Sequence, residues 1–329
     1  MRNQKATTGA SAVTKVNPLQ NLLQYGIYYL LAFVCVILTL MSKNFLTVSN
    51  LTNVMLQTSI IGVLAIGMTF VISTGNIDIS VGALIAISSA AGIGLIKVYN
   101  FPWWLGMIVM VAVGAAFGVV NGLAVAYLSI PSMLVTLSTQ SIASGLVLVL
   151  SGGKSWFDLP AQFGALSTGK ILGIPYLIWV VLLLYLAFNF VLARTVYGRK
   201  ILATGGNAES ARVSGINTKR TVLSAYILCG CVAGIAAILQ TARLNAFWAS
   251  MGSGMEMQAI AATVIGGTSM TGGRGTMLGT FAGVLLMGVI NNALNLLGVV
   301  ANWQDVARGL IIMVAIIIDA VRIHYDKKI

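Results

Sequence analysis

The sequence predicts an all-α polytopic membrane protein of about ten transmembrane helices, some of them interrupted, with one short cytoplasmic helix between two spans. Three observations predict it. Of 329 residues, 58% are hydrophobic and only 8% charged, whereas a soluble domain carries about 25% charged residues to cover its surface. The apolar residues gather in runs close to the ~20 residues that a spanning helix needs. The connections are short: only 151–173 and 194–220 are longer than twenty residues, too short for a soluble domain of ordinary size. Disordered chains, collagen, coiled coils and disulfide scaffolds are excluded by the same composition.

The elements follow in order. Residues 1–24 are polar and basic and read as a cytoplasmic tail. The run from Tyr25 to Met41 is long for a signal-peptide core and lacks a convincing cleavage site, so it stands as an uncleaved span. Further apolar stretches lie at 53–73, 78–97, 104–128, 132–150, 174–193, 221–241, 256–272, 276–298 and 304–321, the third, eighth and ninth spans being interrupted by glycines and polar residues. A single transmembrane domain, 25–322, thus contains the loop 194–220 and ends in a tail, 323–329.

The net charge of +12 would suggest nucleic acid in a soluble protein. Here it follows the surplus of Lys and Arg on the cytoplasmic side of membrane proteins. With the N-terminus inside, ten spans place 13 of the 19 basic residues inside and 6 outside, and return the C-terminus to the cytoplasm. The partner implied is membrane lipid, not nucleic acid. Cys35, Cys229 and Cys231 lie in apolar runs, and no metal-ligand spacing joins them to His324, so neither a metal nor a cofactor is expected.

The loop 194–220 carries the most specific local signal. Asn207 can cap a helix and Glu209 then faces the positive end of its dipole. Gly215 can take the left-handed conformation that ends it. Such a helix, roughly two turns long, is marginal alone; it is either a solvated positive-inside loop or an element that docks on a partner. A second feature is Ser73-Thr-Gly-Asn76-Ile-Asp78-Ile-Ser80-Val-Gly82. A carboxylate there should face protein or a water-filled path, and the broken helix can line a cavity; Asp78 can equally cap the helix that follows. A similar break at 263–276 hints at two related halves, although small-residue helix contacts produce such likeness too.

Two phosphate-loop imitations fail. Ser151-Gly-Gly-Lys-Ser155 lacks the first glycine, which is Leu148, and Gly273-Arg-Gly-Thr-Met-Leu-Gly279 misses the dinucleotide spacing. Asn121, Thr136, Gln140, Asn291, Asn292 and Asn295 can bond sugar hydroxyls or neighbouring helices. Glu256 reads as a cap or salt-bridge residue. No Ser–His–Asp set, no HExxH and no paired intramembrane carboxylates occur, so the chain is read as a non-catalytic subunit.

Several blocks occur together and in order: Asn44-Phe-Leu-Thr-Val-Ser-Asn-Leu, Gly75-Asn-Ile-Asp-Ile-Ser-Val-Gly, Tyr197-Gly-Arg, Gly205-Gly-Asn-Ala-Glu-Ser-Ala-Arg-Val-Ser-Gly-Ile-Asn217, Ala259-Ile-Ala-Ala-Thr-Val-Ile-Gly-Gly-Thr-Ser and Gly272-Gly-Arg-Gly-Thr. On these, from about Asn44 to Asp319, the chain resembles the membrane permease of bacterial ATP-binding cassette importers for ribose, xylose and related sugars. It departs mildly from the usual pattern at Asn76 and Ile79.

The resemblance implies a multi-pass protein of the bacterial inner (plasma) membrane, working as a dimer with a second permease copy or a paralogue. A cytoplasmic ATP-binding subunit and a periplasmic sugar-binding protein would complete the assembly. It implies that Asn207, Ala208, Glu209, Ser210, Ala211, Arg212 and Gly215 form the element that couples to the ATPase. Asn76, Asp78, Ser80, Asn121, Gln140, Asn291 and Asn295 are the candidate path-lining residues. ATP hydrolysis would belong to the partner. Two rival readings remain: a gradient-driven secondary transporter of a small polar solute, and a structural or receptor membrane subunit.

Overall fold

The computed structural model describes residues 18–326. The tail residues 1–17 and 327–329 lie outside the described residues, and with them Arg2, Lys5, Lys15, Lys327 and Lys328 of the expected charge balance. Thirteen α-helices make up almost all the regular structure: α1 Pro18–Met41, α2 Val48–Ser73, α3 Val81–Val98, α4 Trp103–Ala126, α5 Ser132–Ser151, α6 Ala161–Thr168, α7 Tyr176–Arg194, α8 Val196–Gly206, α9 Ala208–Val213, α10 Thr218–Leu244, α11 Met255–Ile265, α12 Met277–Leu296 and α13 Ala301–Asp326. Among the described residues, seven of them (α2, α3, α4, α5, α7, α10 and α12) are long and apolar enough to cross a membrane.

Helix starts are written in prolines and short capping side chains. Pro18 opens α1, and Pro102, Pro131, Pro160 and Pro175 stand immediately before α4, α5, α6 and α7, where a missing N–H costs nothing and the fixed φ favours entry. Thr47, Thr195, Asn217 and Thr276 each accept a backbone N–H at the start of α2, α8, α10 and α12, satisfying one otherwise unpaired donor.

α2, α3 and α10 form the buried centre. α10 lies along α4 with backbones in contact: a Cβ on Gly114 would strike the Gly230 carbonyl, and one on Gly118 the Tyr226 carbonyl. Without a hydrophobic drive between helices in lipid, such close approach supplies the van der Waals attraction. Polar pairs add to it: Asn50 and Asn292 exchange amide hydrogen bonds of 3.0 and 2.8 Å between α2 and α12, and Thr69 and Thr280 share one of 2.7 Å between the same helices. The outer faces of α4, α5 and α7 are largely exposed apolar surface.

The eighth apolar stretch differs from a full span. Its helix, α11, has 11 residues, about 16 Å at 1.5 Å per residue, half a bilayer core. It ends at Ile265, and the loop that follows turns at Gly267, Gly272 and Gly273, all at positive φ, a conformation that glycine reaches without steric cost. The segment before it, 245–254, falls between the seventh and eighth apolar stretches and need not have touched the bundle. Instead it packs along α3: Gly252 lies against Gly82 and Ile85, and the Ser89 hydroxyl meets Met251 sulfur at 3.9 Å. One crossing is therefore made of an irregular half and a helical half.

At the end of the bundle opposite α9, two short antiparallel strand pairs pin the connections. β1 (Trp156–Phe157) pairs with β4 (Ala246–Phe247), and β2 (Lys170–Ile171) with β3 (Ile174–Pro175). The Trp156 and Phe247 rings stack at 4.8 Å, and so tie the 151–175 connection to the start of the irregular segment.

Candidate functional site

The short helix expected after Asn207 is present and capped at both ends. The Asn207 side chain accepts the Ser210 N–H at 2.8 Å. The Gly215 N–H returns to the Arg212 carbonyl and the Ile216 N–H to the Ala211 carbonyl, both at 3.0 Å. With Gly215 at φ +82°, these are the paired bonds of a Schellman stop. Glu209 and Arg212 bind each other across one turn at 2.5 Å, each about two-thirds exposed. That arrangement holds the Glu209 carboxyl below its usual range, first by the hydrogen bond and then by the charge of Arg212. Ala211 is buried and anchors the helix, while Val213 is 78% exposed at its tip. Around it Arg199, Lys200 and Arg220 are exposed. A preformed, amphipathic, charged knob of this kind can seat in a groove on another protein.

The glycines just before it connect that knob to the two broken segments. A Cβ on Gly205, at the end of α8, would strike the Ser73 carbonyl and the Gly273 nitrogen. Gly272 sits against the Gly75 nitrogen and the Gly205 carbonyl, and Gly273 against Gly206. The Gly273 N–H donates to the Ser73 carbonyl at 3.0 Å. Three glycine-bearing stretches far apart in sequence are thus in backbone contact directly behind α9. Tyr197 fixes α8 from its other end, stacking on Phe70 of α2 at 6.0 Å and sharing a 3.1 Å hydrogen bond with Ser224 of α10.

The candidate path-lining residues fall into three places. Asp78, Ser80 and Asn121 form one buried cluster: Asp78 Oδ1 accepts the Ser80 N–H at 3.0 Å and the Ser80 hydroxyl at 2.5 Å, and Asn121 Nδ2 donates to Ser80 Oγ at 3.0 Å. Asp78 accepts a backbone N–H immediately before α3, so it serves the helix start, and all three residues are fully buried. Among the described residues, Asp78 Oδ2 and Asn121 Oδ1 have no hydrogen-bond partner. Asn76 stays within its own turn, its amide donating to Thr74. Asn291 and Asn295 lie on α12 away from this cluster, Asn295 accepting from Gln304 at 2.9 Å.

Gln140 belongs to a third place. It lies eight residues into the 20-residue α5, about 12 Å along its axis, and lines a cavity of about 300 Å³, the low end of the range for small-molecule sites. Ser144 joins it from α5, Ala83 and Ala86 from α3, and Ser250, Met251 and Ser253 from the irregular segment. The lining offers neutral hydroxyls and one amide beside small apolar groups. Non-helical backbone at membrane depth is tolerated where it lines such a cavity. Sequence reading missed residues 249–253 because a Gly/Ser-rich stretch between two apolar runs looks the same whether it lies over the surface or dips between helices.

The comparisons with known proteins agree along the whole core. Residues 50–316 match the family described as branched-chain amino acid transport system / permease component. The chain is 36% identical over 300 residues to the ribose import permease protein of Escherichia coli (strain K12), covering 90% of this chain and 93% of the relative. It is 36% identical over 297 residues to the D-allose transport system permease protein of the same strain, covering 90% and 91%. To that strain's L-arabinose transport system permease protein it is 35% identical over 307 residues, covering 93% and 92%. No solved structure is a significant match.

Proposed function

The chain belongs to the branched-chain amino acid transport system / permease component family, and from that premise we propose that it is the membrane-spanning subunit of an ATP-binding cassette importer for a ribose-like monosaccharide. The observation that carries the reading is the doubly capped α9 with Gly205 and Gly206 packed on the turns after α2 and α11. Relatives named as a ribose import permease and as D-allose and L-arabinose transport system permeases support a neutral polyhydroxylated substrate. The uncharged hydroxyl and amide lining of the α3–α5 cavity suits such a substrate, since sugar hydroxyls are matched by neutral donors and acceptors.

In this reading the α9 end of the bundle faces the cytoplasm, as do both termini, and α9 docks on an ATP-binding subunit in the bacterial inner membrane. ATP binding draws two docked subunits together and displaces α9. The displacement passes through Gly205 to the turns at 73–75 and 271–275, biasing a two-state unit that opens first to one side and then to the other. A periplasmic sugar-binding protein delivers the substrate and supplies the affinity. A second permease copy, identical or paralogous, covers the side of the cavity where α5 exposes Ser138, Ser141 and Ser144, hydroxyls that gain little from lipid. Asn207, Ala208, Glu209, Ser210, Ala211, Arg212 and Gly215 form the docking element. Gln140, Ser144, Ser250 and Ser253 line the path, and Asp78, Ser80 and Asn121 hold its inner wall.

The test is uptake into proteoliposomes with the ATP-binding subunit inside and receptor-loaded radiolabelled sugars outside. Uptake of ribose or another monosaccharide that requires both ATP and the receptor is expected. Uptake that continues without ATP and stops when the proton gradient collapses would make the chain a secondary transporter instead.

A further inference from the structure

Glu256 is the second residue of α11, the helical half of the broken crossing, three residues after the cavity-lining Ser253. It is 7% exposed, and its Oε2 has no hydrogen-bond partner among the described residues. The carboxylate rests on α3 at Gly82: a Cβ there would collide with Glu256 Oε2 and with the Gly252 carbonyl. Gly82 is next in sequence to Ala83, a wall of the cavity. The glycine therefore leaves room for a carboxylate at the seam between α3 and α11, beside residues that line the cavity. The carboxylate forms no salt bridge among the described residues.

An acceptor buried without a donor raises the free energy of the state that buries it. The seam between Gly82 and Glu256 is thus closed at a cost, and parting α3 from α11 would present the free oxygen to whatever fills the cavity. A sugar offers hydroxyl donors there. A ligand can shift a conformational equilibrium only through contacts that differ between the two states, and a carboxylate hidden in one state and available in the other supplies that difference.

We propose that Glu256 is a substrate-sensing gate residue, whose Oε2 accepts a hydroxyl of the sugar beside the cavity as α3 and α11 separate, and so helps decide which sugars pass. The proposal rests on the transport reading above. Neutral groups of the cavity lining position the sugar, and the Glu256 carboxylate reads a particular hydroxyl most strongly, because hydrogen bonds to charged acceptors outweigh neutral ones.

The experiment compares wild type with Glu256→Gln, reconstituted with the ATP-binding subunit and receptor, across the best-transported sugar and its singly deoxygenated analogues. The receptor's own preference cancels in the ratio of variant to wild type for each sugar. Uptake of the parent sugar by the variant is expected to fall about tenfold relative to wild type, the scale of one hydrogen bond to a charged group. One analogue, lacking the hydroxyl that Glu256 reads, should show a ratio near one. A ratio identical for the parent and every analogue overturns the proposal and leaves importer function intact.

Absence of any ATP-dependent uptake by wild type overturns the importer reading and the gate with it. If Glu256→Gln does not fold, wild type alone decides: a series in which no single hydroxyl deletion slows translocation beyond its effect on receptor binding also overturns it.

Discussion

The Gly273 N–H donates to the Ser73 carbonyl at 3.0 Å, and that bond joins the turn that ends α2 to the loop between α11 and α12. Gly205 lies against both groups, so the stem of α9 touches the joint itself. α9, α2 and α11 cannot move independently while these backbones remain in contact, because close-packed elements shift between discrete arrangements and do not deform continuously.

Gly205→Ala should separate coupling from docking. The added methyl would meet the Ser73 carbonyl and the Gly273 nitrogen, backbone groups that cannot rotate aside, and overpacking of this kind costs roughly 1–3 kcal/mol. The expected outcome is a lower Tm and loss of ATP-driven uptake, with the affinity for the ATP-binding subunit changed by less than about twofold, since Gly205 lies behind α9 and the exposed face of α9 keeps its side chains. Uptake at the wild-type rate would remove the joint from the mechanism.

Gly114→Ala addresses the α4–α10 seam. Its Cβ would strike the Gly230 carbonyl, forcing two spans apart where their contact depends on small residues. We expect a loss of about 1–3 kcal/mol, read as a lower unfolding temperature in detergent. Gly164→Ala, whose new methyl meets nothing within 4 Å among the described residues, should leave that temperature unchanged or raise it slightly, since alanine is the better helix former within α6.

The order of the helices and the capped α9 were legible because their signals are local. Apolar run length marks a span, Asn207 two residues before Glu209 marks a helix start, and Gly215 marks its stop. Depth was not legible. Residues 245–254 and 74–80 carry the same Gly, Ser and Asn as surface turns, and only the partners they meet (Gly82 for one, Asn121 and Ser132 for the other) place them among helices. Gln140 and Asn295 are likewise alike in sequence, each an amide in an apolar helix. The cavity beside one and Gln304 beside the other distinguish them.

The α9 knob should respond to acid in one direction. Arg212 holds the Glu209 carboxyl below its usual range. A carboxyl depressed in the folded state stabilises it above its unfolded pKa and gives that up as pH falls through the folded one. Docking of the ATP-binding subunit by wild type, compared with Glu209→Gln at each pH, should differ by a constant factor from pH about 8 to 5. The two should converge below the ordinary glutamate value of about 4.3. A difference that instead vanished near neutrality would assign the effect to another group.

Asp78 distinguishes ATP-driven import from proton coupling. Its Oδ1 accepts both the N–H and the hydroxyl of Ser80, so its first duty is to the start of α3. Asp78→Ala strands those donors in a buried place and should cost about 1–3 kcal/mol per unsatisfied group, seen as a lower Tm. Asp78→Asn keeps an oxygen in the same position and should retain the fold. If Asp78 serves structure alone, the asparagine variant transports with ATP at a rate close to wild type, and a protonophore changes neither protein. If the chain moves its solute with protons carried by Asp78, this carboxyl must titrate. The asparagine variant would then lose uptake while keeping its Tm, and a protonophore would abolish uptake in wild type. Measuring Tm and uptake on the same three preparations, each with and without protonophore, separates the two outcomes.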